Sequence, residues 1–88
     1  MAMFLIELSH TKEGCARALD EIMGYNPDLL SQLFFGCTTH VHRAWGTLDA
    51  RSESAVRDMI APSMRETAQV IPVEQFTAEQ IKALYVEV

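Results

Sequence analysis

The 88-residue sequence has little of what marks several large functional classes. Basic residues are scarce: 7 Lys and Arg stand against 12 Asp and Glu, a formal charge of −5. An acidic chain without a basic stripe is a poor match for a phosphate backbone or an anionic lipid surface, so neither nucleic acid nor membrane is expected as a partner. No apolar run approaches the roughly 20 residues that cross a bilayer. The opening apolar stretch, Met3 to Leu8, is too short for a secretory signal, carries Glu7 and lacks a basic flank, which leads to the expectation of a cytoplasmic protein. Two cysteines, Cys15 and Cys37, are too few for a disulfide scaffold. Gly14, Gly24, Gly36 and Gly46 stand singly and form no phosphate-cradling loop, and no serine sits in a nucleophile elbow. There is no repeat or linker. What is present is a hydrophobic fraction of 49%, enough for one globular domain over residues 1–88.

Met3 to Ser9 is apolar on both alternating faces apart from Glu7, as in an interior strand. A helix follows, with Cys15, Ala18, Leu19, Ile22 and Met23 forming one stripe. Thr11 or Ser9 caps its start, Glu13 suits its first turn, and Gly24 with Asn26-Pro27 ends it. Leu29 to Cys37 reads as a second strand, Thr38-Thr39 as a turn and Val41 to Leu48 as a third strand. Ser52 caps a second helix with the stripe Ala55, Val56, Met59 and Ile60, and Pro62 predicts a break near Ala61 followed by a turn through Arg65. Gln69 to Glu74 is a strand whose Pro72 has no N–H to donate and so belongs at a sheet edge or a bulge. Thr77-Ala-Glu-Gln80 is a capping box for a short helix, Ala78 to Tyr85, with Phe76 placed to staple onto Ile81.

The order βαββαβ plus a C-terminal helix has one common solution, the ferredoxin-like α+β unit, with right-handed crossovers and antiparallel sheet order 4-1-3-2. An all-apolar first strand inside and Pro72 outside both agree with it. The helices should cover Phe4, Ile6 and Leu8, leaving Met3, Leu5, Val41 and Trp45 on the other face. Either the C-terminal helix folds back over that face or a second copy covers it. Closed two-fold pairs are the commonest soluble assembly, so a homodimer is expected, with a small-molecule cleft between sheet and helices.

The segment Val70-Ile-Pro-Val-Glu-Gln-Phe-Thr-Ala-Glu-Gln-Ile81 and the opening Ile6-Glu-Leu-Ser-His-Thr-Lys-Glu-Gly-Cys-Ala-Arg-Ala-Leu-Asp20, with the element order, resemble small stand-alone proteins of the dimeric α+β-barrel group. Muconolactone isomerase and the antibiotic-biosynthesis monooxygenases belong to that group. The resemblance implies a dimeric α+β barrel; no catalytic residue of those enzymes matches a position here.

The expected topology gathers His10 at the end of the first strand, Cys37 at the end of the second, and His40 and His42 at the start of the third. On a strand, His40 and His42 would project to one face with α-carbons about 6–7 Å apart. Imidazole and thiolate are the usual ligands of zinc, nickel, copper and iron, so His10, His40 and His42, with Cys37 closing the set opposite His40, form the candidate metal site. Cys15 falls in the helix stripe and reads as a small core residue. A metal-free alternative uses His10 or His42 as a general base, with Arg43 and Trp45 orienting a carboxylate substrate. The blander reading of Arg43 is a cross-strand pair with Glu7. Three functions thus remain open: a small-ligand or transition-metal-binding module, a cofactor-independent isomerase or monooxygenase acting on a small organic acid, and a purely associative dimer.

Overall fold

The computed structural model describes residues 1–86. Strand β1, Ala2–Ser9, lies between β3, Arg43–Ala50, and β4, Gln69–Val73, while β2, Leu33–Phe35, pairs with the far side of β3. The result is an open four-stranded antiparallel sheet of order β2-β3-β1-β4, which is the expected 4-1-3-2 read from the opposite edge. Strand β1 is interior, as its two apolar faces require, and Pro72 stands in the outer strand β4 opposite Phe4.

Alternation along the strands separates the two faces of the sheet. Phe4, Ile6 and Leu8 of β1, Ala44, Leu48 and Ala50 of β3 and Val70 of β4 are buried on one face. Helix α1, Cys15–Tyr25, covers them with Ala18 and Ile22, and α3, Glu53–Asp58, does so with Val56. The short helices α2, Pro27–Leu30, and α4, Pro62–Arg65, contribute Leu29 and Met64 to the same core. The other face carries half-buried Met3, Leu5 and Trp45, together with the exposed Phe34 and Ile71.

Several local expectations change. Helix α1 begins at Cys15 behind Gly14, with no side-chain cap, so Glu13 precedes the helix; the Thr11 hydroxyl instead accepts from the Gly14 N–H at 3.1 Å. The predicted strand from Leu29 shrinks to Leu33–Phe35. Pro27 is pre-set for a helical first position and Asp28 suits a first turn, so Pro27–Leu30 coils and buries Leu29. Strand β3 starts at Arg43 rather than Val41. By contrast, Ser52 caps α3 as expected, its hydroxyl accepting from the Ala55 N–H at 3.2 Å.

The elbow between α3 and α4 is held by arginines. Arg65 donates from Nε to the carbonyls of Arg57 and Ile60, each at 2.8 Å, and from Nη2 to the Tyr25 hydroxyl at 2.7 Å. Arg57 returns a bond from Nη1 to the Arg65 carbonyl at 3.0 Å. These carbonyls lie at helix ends, where the helical ladder runs out: Arg57 and Arg65 accept one backbone N–H each, from Ile60 and Ala68, at 3.1 and 3.3 Å, and the arginine side chains add to these.

Helix α5, Ala78–Val86, opens with the expected reciprocal box: the Gln80 N–H donates to the Thr77 hydroxyl at 3.1 Å, and the Gln80 side chain accepts from the Thr77 N–H at 2.7 Å. It does not fold back to bury itself, since Ala78 to Tyr85 are all exposed. Phe76, 57% exposed, and Ile81, 44% exposed, remain open to solvent. The radius of gyration is 15.8 Å and the long axis 51 Å. A compact chain of this length would have a radius near 12 Å.

Candidate metal centre

The β1–β3 ladder runs one rung past the strands, with the His10 N–H donating to the His42 carbonyl at 3.2 Å. The register that pairs Ser9 with Arg43 therefore sets His10 directly against His42. Both share the parity of buried Leu8 and Ala44, which aims their side chains at the helix-covered face. Their rings meet edge to face at 5.7 Å and 69°. From the other side of β3, the register that pairs Phe35 with Ala44 leads Cys37 toward His42, and the Cys37 Sγ lies 3.1 Å from His10 Nε2. Cys15, the first residue of α1, joins from the helix layer. The donor atoms of His10, Cys15, Cys37 and His42 all lie within 4.8 Å of one another, and all four residues are half-buried. This group could hold a metal ion.

The surroundings favour the neutral forms of His10 and Cys37. Burial, and after it the neighbouring His42, hold the His10 imidazole below its ordinary value. A hydrogen bond with Cys15, then burial and the charge of Cys15, push the Cys37 thiol above its ordinary value. Among the described residues, His42 Nδ1 is the only buried side-chain nitrogen or oxygen without a hydrogen-bond partner. Leaving such an atom unpaired costs about 1–3 kcal/mol.

His40 is outside the group. A strand beginning before it was needed to align it with His42, and β3 begins only at Arg43. Residues Cys37–Thr39 form a 3-10 turn that ends on His40 in the left-handed region, φ 67°, with the residue exposed. Gly36 organises this connection: its carbonyl accepts from the N–H groups of Thr39 and Val41, both at 3.0 Å, and its own N–H donates to the Arg43 carbonyl at 3.0 Å. The loop is therefore longer than two residues, and Cys37 does not stand opposite His40. A Cβ on Gly36 would come within 2.7 Å of the Val41 carbonyl oxygen, so the close approach requires glycine.

Cys15 corrects the opposite error. Its place in the helix stripe read as core, yet the first turn of α1 delivers it to the other three donors. A sequence signal was available in the mirrored spacings His10-x4-Cys15 and Cys37-x4-His42. Arg43 and Trp45 have the opposite parity and sit on the open face of the sheet. There the Trp45 Nε1–H donates to Glu7 Oε1 at 2.9 Å, and Arg43 Nη1 stands 3.9 Å from the same oxygen, the cross-strand pairing expected of Glu7. A cleft of about 280 Å³ does adjoin the His/Cys group, with Ser9, His10, Thr11 and Gly14 on one wall and Ser63 and Thr67 on the other.

No family model, curated protein or solved structure matches the chain. Among the described residues, no helix is long and apolar enough to cross a membrane.

Proposed function

We propose that the protein is a small metal-binding module whose centre is a four-coordinate zinc site built by His10, Cys15, Cys37 and His42. The observation that carries this reading is the convergence of two thiols and two imidazoles within 4.8 Å. Two thiolates cancel the charge of Zn2+, so the half-buried centre is electrically neutral, and sulfur with imidazole selects zinc over hard cations. Tetrahedral bonds of about 2.0–2.3 Å set ligand atoms roughly 3.3–3.8 Å apart, so donors as far apart as 4.8 Å need to contract by about 1.0–1.5 Å. A closed set of four supports a structural, storage or sensing role rather than a hydrolytic one. Reduced thiols in a cytoplasmic setting suit it.

Metal analysis and zinc titration of tag-free protein test the reading. The expected result is one zinc per chain, with occupancy lowered in Cys15→Ala and His42→Ala and little changed in His40→Ala. Wild-type stoichiometry in His42→Ala removes that ligand from the assignment.

The cleft beside His10 favours one second reading, a cofactor-independent enzyme in which His10 takes a proton from a small organic acid. Turnover that persists without metal and vanishes in His10→Gln would select it over the zinc site.

The element order and sheet order support a ferredoxin-like assignment, and with it a homodimer paired through the open faces. Phe34 is 76% exposed and Ile71 45% on that face, and Ile81, Leu84 and Tyr85 of α5 are 44%, 57% and 79% exposed. Together these five leave on the order of 600 Å² of surface in water. That approaches the ~800 Å² per partner of a standard interface, so a second copy is the occupant of matching size.

A further inference from the structure

We infer that Cys15 and Cys37 form a peroxide-oxidisable thiol pair, which closes to a disulfide and in doing so dismantles the metal site. The inference rests on the zinc reading for its consequence and on the sulfur geometry for its chemistry. Both cysteines are free and half-buried, and their sulfur atoms lie within 4.8 Å of each other. A disulfide bond is about 2.05 Å long, so the sulfurs must approach by up to about 2.8 Å. Cys15 is the terminal residue of α1 and Cys37 stands on a 3-10 turn outside the sheet ladder, so side-chain rotation and a small shift of that turn supply the distance. Neither cysteine is fully buried, and a cleft of about 280 Å³ lined by His10 and by Gly14, the neighbour of Cys15, opens beside the group.

The reaction is a two-electron oxidation of the sulfur pair by a hydroperoxide. One sulfur attacks the peroxide oxygen, the O–O bond breaks, and a sulfenic acid forms while an alcohol, or water from hydrogen peroxide, departs. The second sulfur attacks the sulfenic sulfur, the S–S bond forms and water leaves. Two thiols and one hydroperoxide thus give one disulfide, one alcohol and one water. From the zinc form, solvent supplies two protons in place of those the metal displaced. The disulfide has no thiolate left to donate, and two imidazoles alone hold zinc weakly, so the ion is released. Reduction by a dithiol restores the pair.

Reduced protein, metal-free or loaded with zinc chloride, is treated with hydrogen peroxide and its remaining thiols are alkylated. Intact mass, peptide mapping and zinc release to a chromogenic chelator are read together. The expected result is loss of two hydrogens, a cross-linked Cys15–Cys37 peptide and one zinc released per disulfide, all reversed by dithiothreitol. His10→Ala, which keeps both thiols, still forms the disulfide, whereas Cys15→Ser and Cys37→Ser do not. A disulfide that forms although zinc chloride never binds supports the thiol pair and overturns the zinc reading. Oxygen adducts on separate cysteines, disulfides between chains, or thiols that remain alkylatable overturn the inference, with or without bound zinc.

Discussion

A single imidazole decides between two descriptions of the centre. His40 holds a left-handed φ of 67° at the close of the 3-10 turn, a conformation that costs a non-glycine residue roughly 1 kcal/mol. His40→Gly relieves that cost and removes no donor of the group. The metal-free variant should unfold about 0.5–1 kcal/mol later in urea than the wild type while binding zinc at the same stoichiometry. A variant that loses zinc would return His40 to the ligand set. His10 gives a pH dependence of definite sign. Its folded value lies below the ordinary 6.5, so the unfolded chain takes up the proton first. Stability present above about pH 6.5 is therefore lost as pH falls toward the folded value. Urea midpoints of metal-free protein at about pH 7.5 and about pH 5.5 should drop across that interval, and His10→Gln should flatten the drop.

At the level of elements, the site depends on how the chain leaves β2 and returns in β3. Gly36→Ala drives a methyl into the Val41 carbonyl, so the turn that presents Cys37 must shift. Zinc affinity should fall at least tenfold, read by competition with a chelator, together with a loss of about 1–3 kcal/mol in stability. Arg65→Ala acts elsewhere: it removes the arginine donor from the Ile60 carbonyl and one of the donors to the Arg57 carbonyl, and should cost about 1–2 kcal/mol in chemical denaturation, with zinc affinity unchanged. The strand order and the burial of Phe4, Ile6 and Leu8 were legible because alternation and Pro72 are local signals. The β2–β3 connection was not. Leu29 and Leu30 are as apolar as a strand, and only Pro27 and Asp28 argue for a helix there. Nothing local announced that Gly36 would collect two amide donors, and that closure is what turns His40 out and leaves His42 in. Cys15 was obscured because the periodicity that marks a core stripe also marks a helix delivering a donor at its first turn.

For the whole molecule, the unclosed shape is the feature to explain. The open face with Phe34 and the projecting α5 account for a radius of gyration of 15.8 Å. Light scattering on the intact chain should report a homodimer, and Phe34→Asp should shift it toward monomer while leaving zinc stoichiometry intact. A wild-type monomer at micromolar concentration would dismiss the pairing. That α5 stays outside was not readable from its capping box, which fixes where a helix starts and says nothing about where it rests. The rung that joins the His10 N–H to the His42 carbonyl has a larger consequence. Both imidazoles owe their side of the sheet to one alignment of β1 with β3, and sliding either strand by a residue would turn one of them to the opposite side. A bound ion would thereby proofread the threading of the central strand pair, accepting the native alignment and rejecting its slipped competitors during refolding.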